Sequence, residues 1–448
     1  MSYASSVARW RIAAAFALVT TAHLAQAQES AAPSAAPDQA LDVSFSAGVS
    51  GSDNIGRESG NERSGTIGLA GVQLTYAQNS RRLKSDIDVN ATYENYSDDA
   101  FDDDVIGGAN AELNFGIVPD RFNWIALENF GQVTSDPFAA DTPDNRENIN
   151  YFTTGPDFLL HFGDEMSLRL SARYSDVQYE VAETDGTQYS GTLALSRAVS
   201  TASSISIIVD GSRYEFDNSA INTDYDRRQL YLRYEAQGRR TVLNADLGYT
   251  TIDIGDRSPD GALARFSLSR RLSPSASLTA SLGTQFSDAG EMFRDGQQTS
   301  GVVTDTSSVV GTGEPFRSDF GSLGFDFDRN RTMIGVEIRA EHERYETSTL
   351  LDRDLLYVDA RALRHLSPTI DASVFARLTR QEFTNVDFDS NDRDIGAILS
   401  WNVGRRVALR FQYDHLTRTS SVDGSDYTEN RASLRIFWSP MARHGSPR

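Results

Sequence analysis

Extended segments of ten to fifteen residues, in which apolar and polar side chains alternate, fill the chain beyond residue 40. In one of them Ile334, Val336 and Ile338 alternate with Glu337 and Arg339. Because successive side chains of a β-strand point to opposite faces, such a segment has one apolar face and one charged face. A sheet of these strands suits lipid on one side and water on the other.

The breaks between the segments are themselves alternately short and long. A tight turn such as Val118–Arg121 is followed by a longer acidic connection such as Thr134–Glu147, and nine short turns and ten long loops join twenty segments. Outer-membrane barrels have short periplasmic turns, long external loops and, in bacteria, an even number of strands. The sequence therefore predicts an all-β fold, a transmembrane antiparallel up-and-down β-barrel of about 20 strands (18–22) over residues 41–438.

Other classes fit less well. The strands of a soluble β-sandwich are usually about five or six residues long, and a propeller blade places four strands in about forty residues, where this chain has one hairpin. No stretch beyond residue 40 approaches eighteen apolar residues, and the mean hydropathy is −0.42, which excludes helical insertion into a membrane. A tilted spanning strand needs only about nine to eleven residues.

The first residues have the pattern of a secretory signal peptide. Arg9 and Arg11 precede an apolar run, Ile12–Leu24, and the small residues of Ala25–Ala27 follow it. The run is too short for a spanning helix, which needs about twenty residues. We expect residues 1–27 to be a cleaved signal peptide, followed by an Ala/Pro/Ser linker over residues 28–40, with export to the periplasm and a final location in the cell outer membrane.

Charge and cysteine content exclude further classes. The net charge of −21 becomes −23 once Arg9 and Arg11 are removed with the signal peptide, which argues against a nucleic-acid partner. Cysteine is absent, so disulfides, thiolate nucleophiles and cysteine metal sites are absent too.

Three stretches carry a resemblance to a known family. They are FSAGVSGSDNIGR at Phe45–Arg57, GIVPDRFNWIALENFGQV at Gly116–Val133 and NYFTTGPDF at Asn150–Phe158. They resemble the β-barrel porin type 2 family of outer-membrane porins, and the likeness covers most of residues 41–438. The resemblance implies an association with exopolysaccharide synthesis and export, and it brings no catalytic motif.

The location and the resemblance together define the expected partners. These are the outer membrane with its lipopolysaccharide, the barrel-assembly machinery and components of polysaccharide export. Leu434, Ile436 and Trp438 resemble the terminal signal that the assembly machinery reads. A C-terminal tail, residues 439–448, follows them, whereas such barrels commonly end on an aromatic residue.

Charged side chains are expected on the inward faces of the strands. The candidate lumen-lining residues are Arg169, Arg173, Arg233, Glu337, Arg339, Glu341, Arg361, Arg377, Arg410 and Arg435. One hypothesis is a selectivity lining for anionic or sugar solutes. The alternative is a wall whose opposite charges pair across strands and merely stay hydrated.

Two connections leave alternatives open. The longest, Ser287–Pro315, is long enough to be functional or disordered, and it either folds inward and narrows the pore or extends outside. The acidic cluster of Asp98, Asp99 and Asp102–Asp104 has the ligand chemistry of calcium but not the spacing of a dedicated calcium loop. A solvated external loop is the favoured interpretation of that cluster.

No catalytic, cofactor-binding or metal-binding residues are predicted. The histidines have no metal-ligand spacing, neither GxSxG nor HExxH occurs, and the adjacent Asp414 and His415 should point to opposite faces of their strand. The sequence favours a passive porin-like channel over an enzyme. The alternatives are a structural or adhesive barrel with a blocked lumen and, least favoured, a membrane-embedded hydrolase.

Overall fold

The computed structural model describes residues 39–97, 101–300 and 309–440, apart from the side chains of 297–300. The strands are β1 Gln39–Ser52, β2 Gly65–Asn79, β3 Leu83–Tyr96, β4 Asp104–Val118, β5 Phe122–Thr134, β6 Arg146–Phe162, β7 Met166–Tyr179, β8 Gly186–Ser200, β9 Ser203–Phe216, β10 Tyr225–Gln237, β11 Thr241–Ile254, β12 Asp260–Ser273, β13 Ala276–Ser287, β14 Phe316–Arg329, β15 Thr332–Tyr345, β16 Arg353–Ser367, β17 Ile370–Phe383, β18 Phe388–Asn402, β19 Val407–Ser420 and β20 Tyr427–Trp438. An α-helix, α1, spans Ala289–Ser300, and short 3-10 helices span Pro143–Asn145 and Thr349–Leu351.

The strands form one closed antiparallel sheet. Each pairs with the next along the chain, and β1 pairs with β20 in a register that runs from Phe45 opposite Trp438 to Ser52 opposite Arg431. At this seam a Cβ on Gly48 would lie 2.4 Å from the carbonyl oxygen of Leu434, so the close approach of the two strands requires glycine there. The prediction of an all-β barrel of about twenty strands is confirmed.

The alternation of short and long connections is also present, with one difference in length. Because β18 already begins at Phe388, the connection after Phe383 covers only residues 384–387 and is no longer than the turn at 403–406. The sequence predicts an acidic loop over Asn385–Ser390, and residues 388–390 of it belong to β18 instead. The predicted signal peptide, most of the linker and residues 441–448 of the tail lie outside the described residues.

The two faces of the sheet differ as the alternation predicts. On the outer face Leu230, Leu232 and Leu247 are 57%, 49% and 66% exposed, while Arg233 and Asp246 on the same two strands face inward. The strands are 12 to 17 residues long, more than the nine to eleven or so that span a bilayer. Among the described residues, no helix combines the length and apolarity that crossing a membrane requires.

Buried apolar side chains gather inside the end of the barrel from which the long connections leave. The largest cluster contains Val133, Ile149, Tyr151 and Tyr179 from β5, β6 and β7, together with Phe293 of α1. Because the wall of a barrel this wide does not fill its own interior, residues of a connection can enter it and pack there. We call this end of the barrel the mouth.

Candidate functional site

The connection between β13 and β14 turns into the barrel at the mouth. Its residues Val309 and Gly311 hydrogen-bond the backbone of Thr134 at the end of β5, at 3.1 and 3.2 Å. Because β5 and β13 are eight strands apart in the sheet, the connection must leave the wall to reach Thr134. Of the two conformations that the sequence left open for this connection, its described residues, 288–300 and 309–315, show the inward one.

Helix α1 forms in this connection because its first turn is capped. The Asp288 side chain accepts a hydrogen bond from the backbone N–H of Glu291 at 2.9 Å, which is the bond of an N-cap residue. Ala289, Met292 and Phe293 then lie on one face of the helix, and Phe293 is fully buried in the cluster at the mouth. The helix therefore packs its apolar face against the inner wall.

A polar network fixes the other side of α1. The guanidinium of Arg227 on β10 donates to both carboxylate oxygens of Glu291, at 2.6 and 2.5 Å. The hydroxyl of Tyr214 donates to Glu291 at 2.7 Å, and that of Tyr225 donates to Asp288 at 3.1 Å. All of these side chains are buried. Removing one partner of such a pair costs about 3–5 kcal/mol, so the network holds the helix in one position.

The two carboxyl groups of the network have opposite pKa shifts. Burial raises the pKa of Asp288 to about 6, and the negative charge of Glu291 adds to the shift. Burial also disfavours the charged form of Glu291, but the Arg227 guanidinium outweighs burial and lowers the pKa of Glu291. The attraction of Arg227 thus outweighs burial at Glu291, which it contacts directly, and does not outweigh burial at Asp288.

A second connection, between β5 and β6, also crosses the mouth. The ring of Phe138 lies 4.7 Å from that of Phe383 and 5.1 Å from that of Phe388, at the facing ends of β17 and β18. Asp141 in the same connection pairs with Arg146 at 2.7 Å and with Arg57 at 3.6 Å. The sequence predicted only an external loop here, so the inward position is a correction. Its cause is the contact of Phe138 with the rings on β17 and β18 and the pairing of Asp141 with Arg57.

Charges of both signs compensate one another in this second network. Arg57, which follows β1, also pairs with Glu429 on β20 at 3.0 Å. Burial opposes ionisation of Asp141, but Arg146 and Arg57 outweigh it and lower the pKa of Asp141 to about 2. The β5–β6 connection therefore stays ion-paired at any physiological pH.

All ten predicted lumen-lining residues lie on the inward face, since each is an even number of positions from an inward-facing buried residue of its strand. They are Arg169 and Arg173 on β7, Arg233 on β10, Glu337, Arg339 and Glu341 on β15, Arg361 on β16, Arg377 on β17, Arg410 on β19 and Arg435 on β20. They are spread around the wall and do not converge on one point.

Most of the arginines in this set have a partner in the wall. The ion pairs are Arg173–Asp157 (2.6 Å), Arg233–Asp246 (2.8 Å), Arg339–Glu341 (2.8 Å), Arg361–Asp326 (3.6 Å) and Arg377–Asp359 (3.9 Å). The guanidinium of Arg410 lies 4.7 Å from the centre of the Phe437 ring. Such pairing, between strands or, for Arg339 and Glu341, within β15, keeps a polar wall hydrated and neutral.

Sequence reasoning missed the residues that hold the two inward connections. Arg227, Tyr214 and Arg57 look like ordinary members of alternating segments or loops. One local signal was present, because Asp288 and Glu291 have the spacing of a capping box and an apolar pair follows them. That signal would have predicted the helix but not its contacts.

The remaining polar candidates show no shared centre. In the acidic cluster Asp103 accepts hydrogen bonds from Tyr93, at 2.6 Å, and from Asn95, while Asp98 and Asp99 lie outside the described residues. In the described parts of the chain, no three His, Asp or Glu side chains are grouped so that they could hold a metal ion. Asp414 faces Arg431 at 3.6 Å and His415 faces Asn430 at 2.8 Å.

Comparison with known proteins gives structural likeness only. No family model and no curated protein sequence matches the chain, so membership of the porin type 2 family stays a prediction. A ferric enterobactin receptor from Pseudomonas aeruginosa is 9% identical with a TM-score of 0.48, covering 89% of this chain and 80% of its own. The FrpB iron transporter from Neisseria meningitidis is 8% identical with a TM-score of 0.46, and the match covers 89% of this chain and 82% of the transporter. OpdQ from Pseudomonas aeruginosa is 10% identical with a TM-score of 0.38, and the match covers 90% of this chain and 100% of OpdQ. At these scores the likeness says nothing about solute or mechanism.

The raised pKa of Asp288 predicts that packing of α1 weakens as the pH rises. An acid whose pKa is higher in the packed state holds its proton more tightly there, so packing is strongest below the ordinary value of 3.8 and is lost progressively up to about pH 6. Each unit of pKa difference changes the equilibrium about tenfold. Asp288→Asn keeps an N-cap residue and removes the charge, so it should abolish this pH dependence.

The absence of cysteine makes the measurement direct. At each pH, the rate at which a maleimide reacts with a cysteine at the buried Ala289 is divided by the rate for a cysteine at the exposed Ile221. We expect this ratio to increase as the pH rises from 4 to 7. In the Asp288→Asn background the ratio should stay flat. The same rise in both backgrounds would show that another group controls the packing of α1.

Proposed function

We propose that this protein is an outer-membrane β-barrel that passes small polar solutes passively through a lumen narrowed by two inward connections. The observation that carries the proposal is the closed barrel itself, with exposed apolar side chains on its outer face and charged side chains on its inner face. A closed sheet leaves no unpaired backbone edge, and only helices and closed barrels satisfy their backbone groups in hydrocarbon.

The outer face supports the membrane part of the proposal. Leu247 lies near the middle of β11, opposite Leu232 of β10, and both are exposed. Dozens of large apolar side chains exposed on a water-soluble protein would form patches that promote association. In a bilayer the same side chains contact acyl chains.

A charge on this face should therefore destabilise the barrel in lipid. We expect Leu247→Arg to lower the free energy of unfolding in lipid vesicles by about 2–4 kcal/mol, as for arginine near the bilayer midplane. Asn244→Arg, on the inward face of the same strand, should change it little. Denaturant unfolding of both variants makes the comparison, and equal effects would exclude contact of this face with lipid.

The interior supports the channel part of the proposal. Barrels of sixteen to eighteen strands already enclose an aqueous channel, so a barrel of twenty strands is wide enough for solutes. The described side chains of α1 and the ring of Phe138 fill part of the mouth. The passage of solutes should thus be limited at the mouth and not by the wall.

Removing the inward connection should widen the channel. We expect replacement of residues 289–312 by a short Gly/Ser linker to raise single-channel conductance in planar bilayers several-fold. Replacement of residues 421–426, in the last long loop, is the control and should leave conductance near that of the parent protein. Equal conductance of the two replaced proteins and the parent would show that the connection does not restrict passage.

A second candidate, a structural or adhesive barrel with a blocked lumen, is favoured by the same inward connections. Two segments that cross one mouth, one through Phe293 and one through Phe138, could close it to solutes. The same recordings separate the candidates. A parent protein that passes no current, beside a conducting variant without residues 289–312, would establish the blocked barrel.

We also propose that the inward arginines tune ion selectivity. Arg339 and Arg410 face the lumen, and each keeps its positive charge whatever its partner. Replacing both by glutamine should shift the ratio of anion to cation permeability towards cations, measured as a reversal potential in a salt gradient. Arg344→Gln, on the outward face of β15, is the control. An unchanged ratio of anion to cation permeability would show that these charges only keep the wall hydrated.

The remaining parts of the proposal follow from the proposed location and from the family resemblance. Contact with lipopolysaccharide and folding by the barrel-assembly machinery follow from the proposed location. The stacking of Trp438 on Phe45 at 5.7 Å places the last aromatic residue of β20 at the seam of the barrel. An association with exopolysaccharide export rests on the family resemblance alone.

A further inference from the structure

The two ends of the barrel carry opposite charges. The short turns contain eight arginines and three acidic residues, whereas the long connections at the mouth contain four arginines and 26 acidic residues. A surface with an excess of one charge attracts partners of the opposite charge. An anionic partner should therefore bind at the end that carries the short turns, which we call the turn end.

Three arginines at the turn end lie close together on neighbouring strands. Arg329 is the last residue of β14, Arg331 directly precedes β15, and Arg364 lies near the end of β16. In the register of the sheet, Thr332 pairs with Arg329 on one side and with Arg364 on the other. Neighbouring strands are about 4.8 Å apart, so the Cα atoms of Arg329 and Arg364 are about 10 Å apart. We call Arg329, Arg331 and Arg364 the arginine cluster.

The strand residues of the arginine cluster continue apolar rows of the outer face. Leu323 and Phe325, which are 50% and 36% exposed, precede Arg329 at even spacing on β14. Leu366, which is 54% exposed, follows Arg364 at even spacing on β16. Residues at even spacing share a face of the sheet, so both arginines lie on the outward face, at the edge of its apolar band. A partner inside the lumen would be on the other side of the wall.

The arginine cluster has no counter-ion of its own. In the described parts of the chain, no carboxylate pairs with any of the three arginines, and the guanidinium of Arg364 donates to the hydroxyl of Thr332. Asp328 is next to Arg329 in sequence but lies on the inward face of β14. Like charges on neighbouring strands repel one another and lower stability. An anionic group bound between the arginines would remove this cost.

The tryptophans indicate what lies beside the outer face at this end. Trp124, Trp401 and Trp438 are 43%, 48% and 46% exposed, and each lies on the outward face close to the turn end of its strand. Tryptophan is enriched where lipid headgroups meet acyl chains. In the proposed membrane location, the turn end is therefore at the level of the headgroups, and arginine side chains there extend their charged ends towards them.

We propose that the arginine cluster binds the phosphate groups of an anionic phospholipid in the leaflet at the turn end. The inference deepens the proposed function and rests on it for the membrane location. Guanidinium groups bind phosphate oxygens through paired hydrogen bonds, and the Thr332 hydroxyl adds a further donor. A lipid with two phosphates contacts Arg329 and Arg364 together, and its acyl chains then lie along the apolar row of Phe325.

Lipid binding can be measured without current flow. The full chain is folded in detergent and titrated with tetraoleoyl cardiolipin, which has two phosphates, and native mass spectrometry gives the affinity. We expect the parent protein to bind cardiolipin in preference to the zwitterionic dioleoyl phosphatidylcholine. Replacing Arg329, Arg331 and Arg364 together by glutamine should lower the affinity for cardiolipin about tenfold to a hundredfold, because each arginine near an anionic lipid surface contributes about fivefold.

Two further variants separate a site from general charge attraction. Replacing Arg121, Arg239 and Arg240 by glutamine removes the same charge from other short turns, so the affinity should fall about twofold at most. Lysine at the three cluster positions keeps the charge and should retain most of the binding. Single-channel conductance equal to that of the parent protein shows that each variant is folded.

The outcomes that overturn the inference differ from those that overturn the proposed function. Equal binding by the parent and the cluster variant, or equal loss in the cluster and control variants, would exclude the arginine cluster as the site. Binding of poly-L-glutamate without binding of cardiolipin would show a soluble acidic partner instead. A protein that conducts but binds no cardiolipin retains the channel and loses the lipid site. Equal effects of Leu247→Arg and Asn244→Arg on unfolding would remove the membrane location on which both depend.

Discussion

Closure of the sheet between β1 and β20 is the constraint from which the other features of the molecule follow. Once the edge strands pair, the backbone groups of every strand have neighbours on both sides, as a sheet in hydrocarbon requires. Closure also fixes an inside and an outside, and a slip of one residue in any strand would exchange them. The apolar outer face and the charged inner face are therefore properties of the register, and the close approach at Gly48 is one place where the seam depends on a single residue.

A wall of twenty strands surrounds more space than its own side chains fill, and two connections fill part of the mouth. Phe293 of α1 is fully buried in an apolar cluster, and Phe138 of the β5–β6 connection packs against Phe383 and Phe388, which stabilises both connections. The buried pair of Arg227 and Glu291 adds little net stability by comparison, because both charges lose their hydration. The pair instead fixes the orientation of the helix, because a bidentate ion pair requires one relative position of its two side chains.

The period of two assigns each of the ten candidate lumen-lining residues to one face of its strand, because the face of a strand residue is a local property of the chain, and their role as a lumen lining stays a prediction. The contacts across the mouth could not be predicted in this way. Arg227 meets Glu291 across 64 positions and Arg57 meets Glu429 across 372, and nothing near either arginine marks it as different from its neighbours. The helix was missed for another reason, since the Gly, Ser and Thr around it outweighed the Asp288–Glu291 capping pattern.

The two inward connections differ in the balance of their charges, so we expect their packing to respond differently to pH. In the network of the β5–β6 connection, two cations, Arg57 and Arg146, face two anions, Asp141 and Glu429. At α1 two cations, Arg227 and Arg294, act on Glu291, whereas at Asp288 the attraction of Arg227 does not outweigh burial. Ionisation of Asp288 therefore keeps a cost of burial that release of the helix into water removes. We expect the β5–β6 connection to stay packed at physiological pH and the packing of α1 to depend on pH.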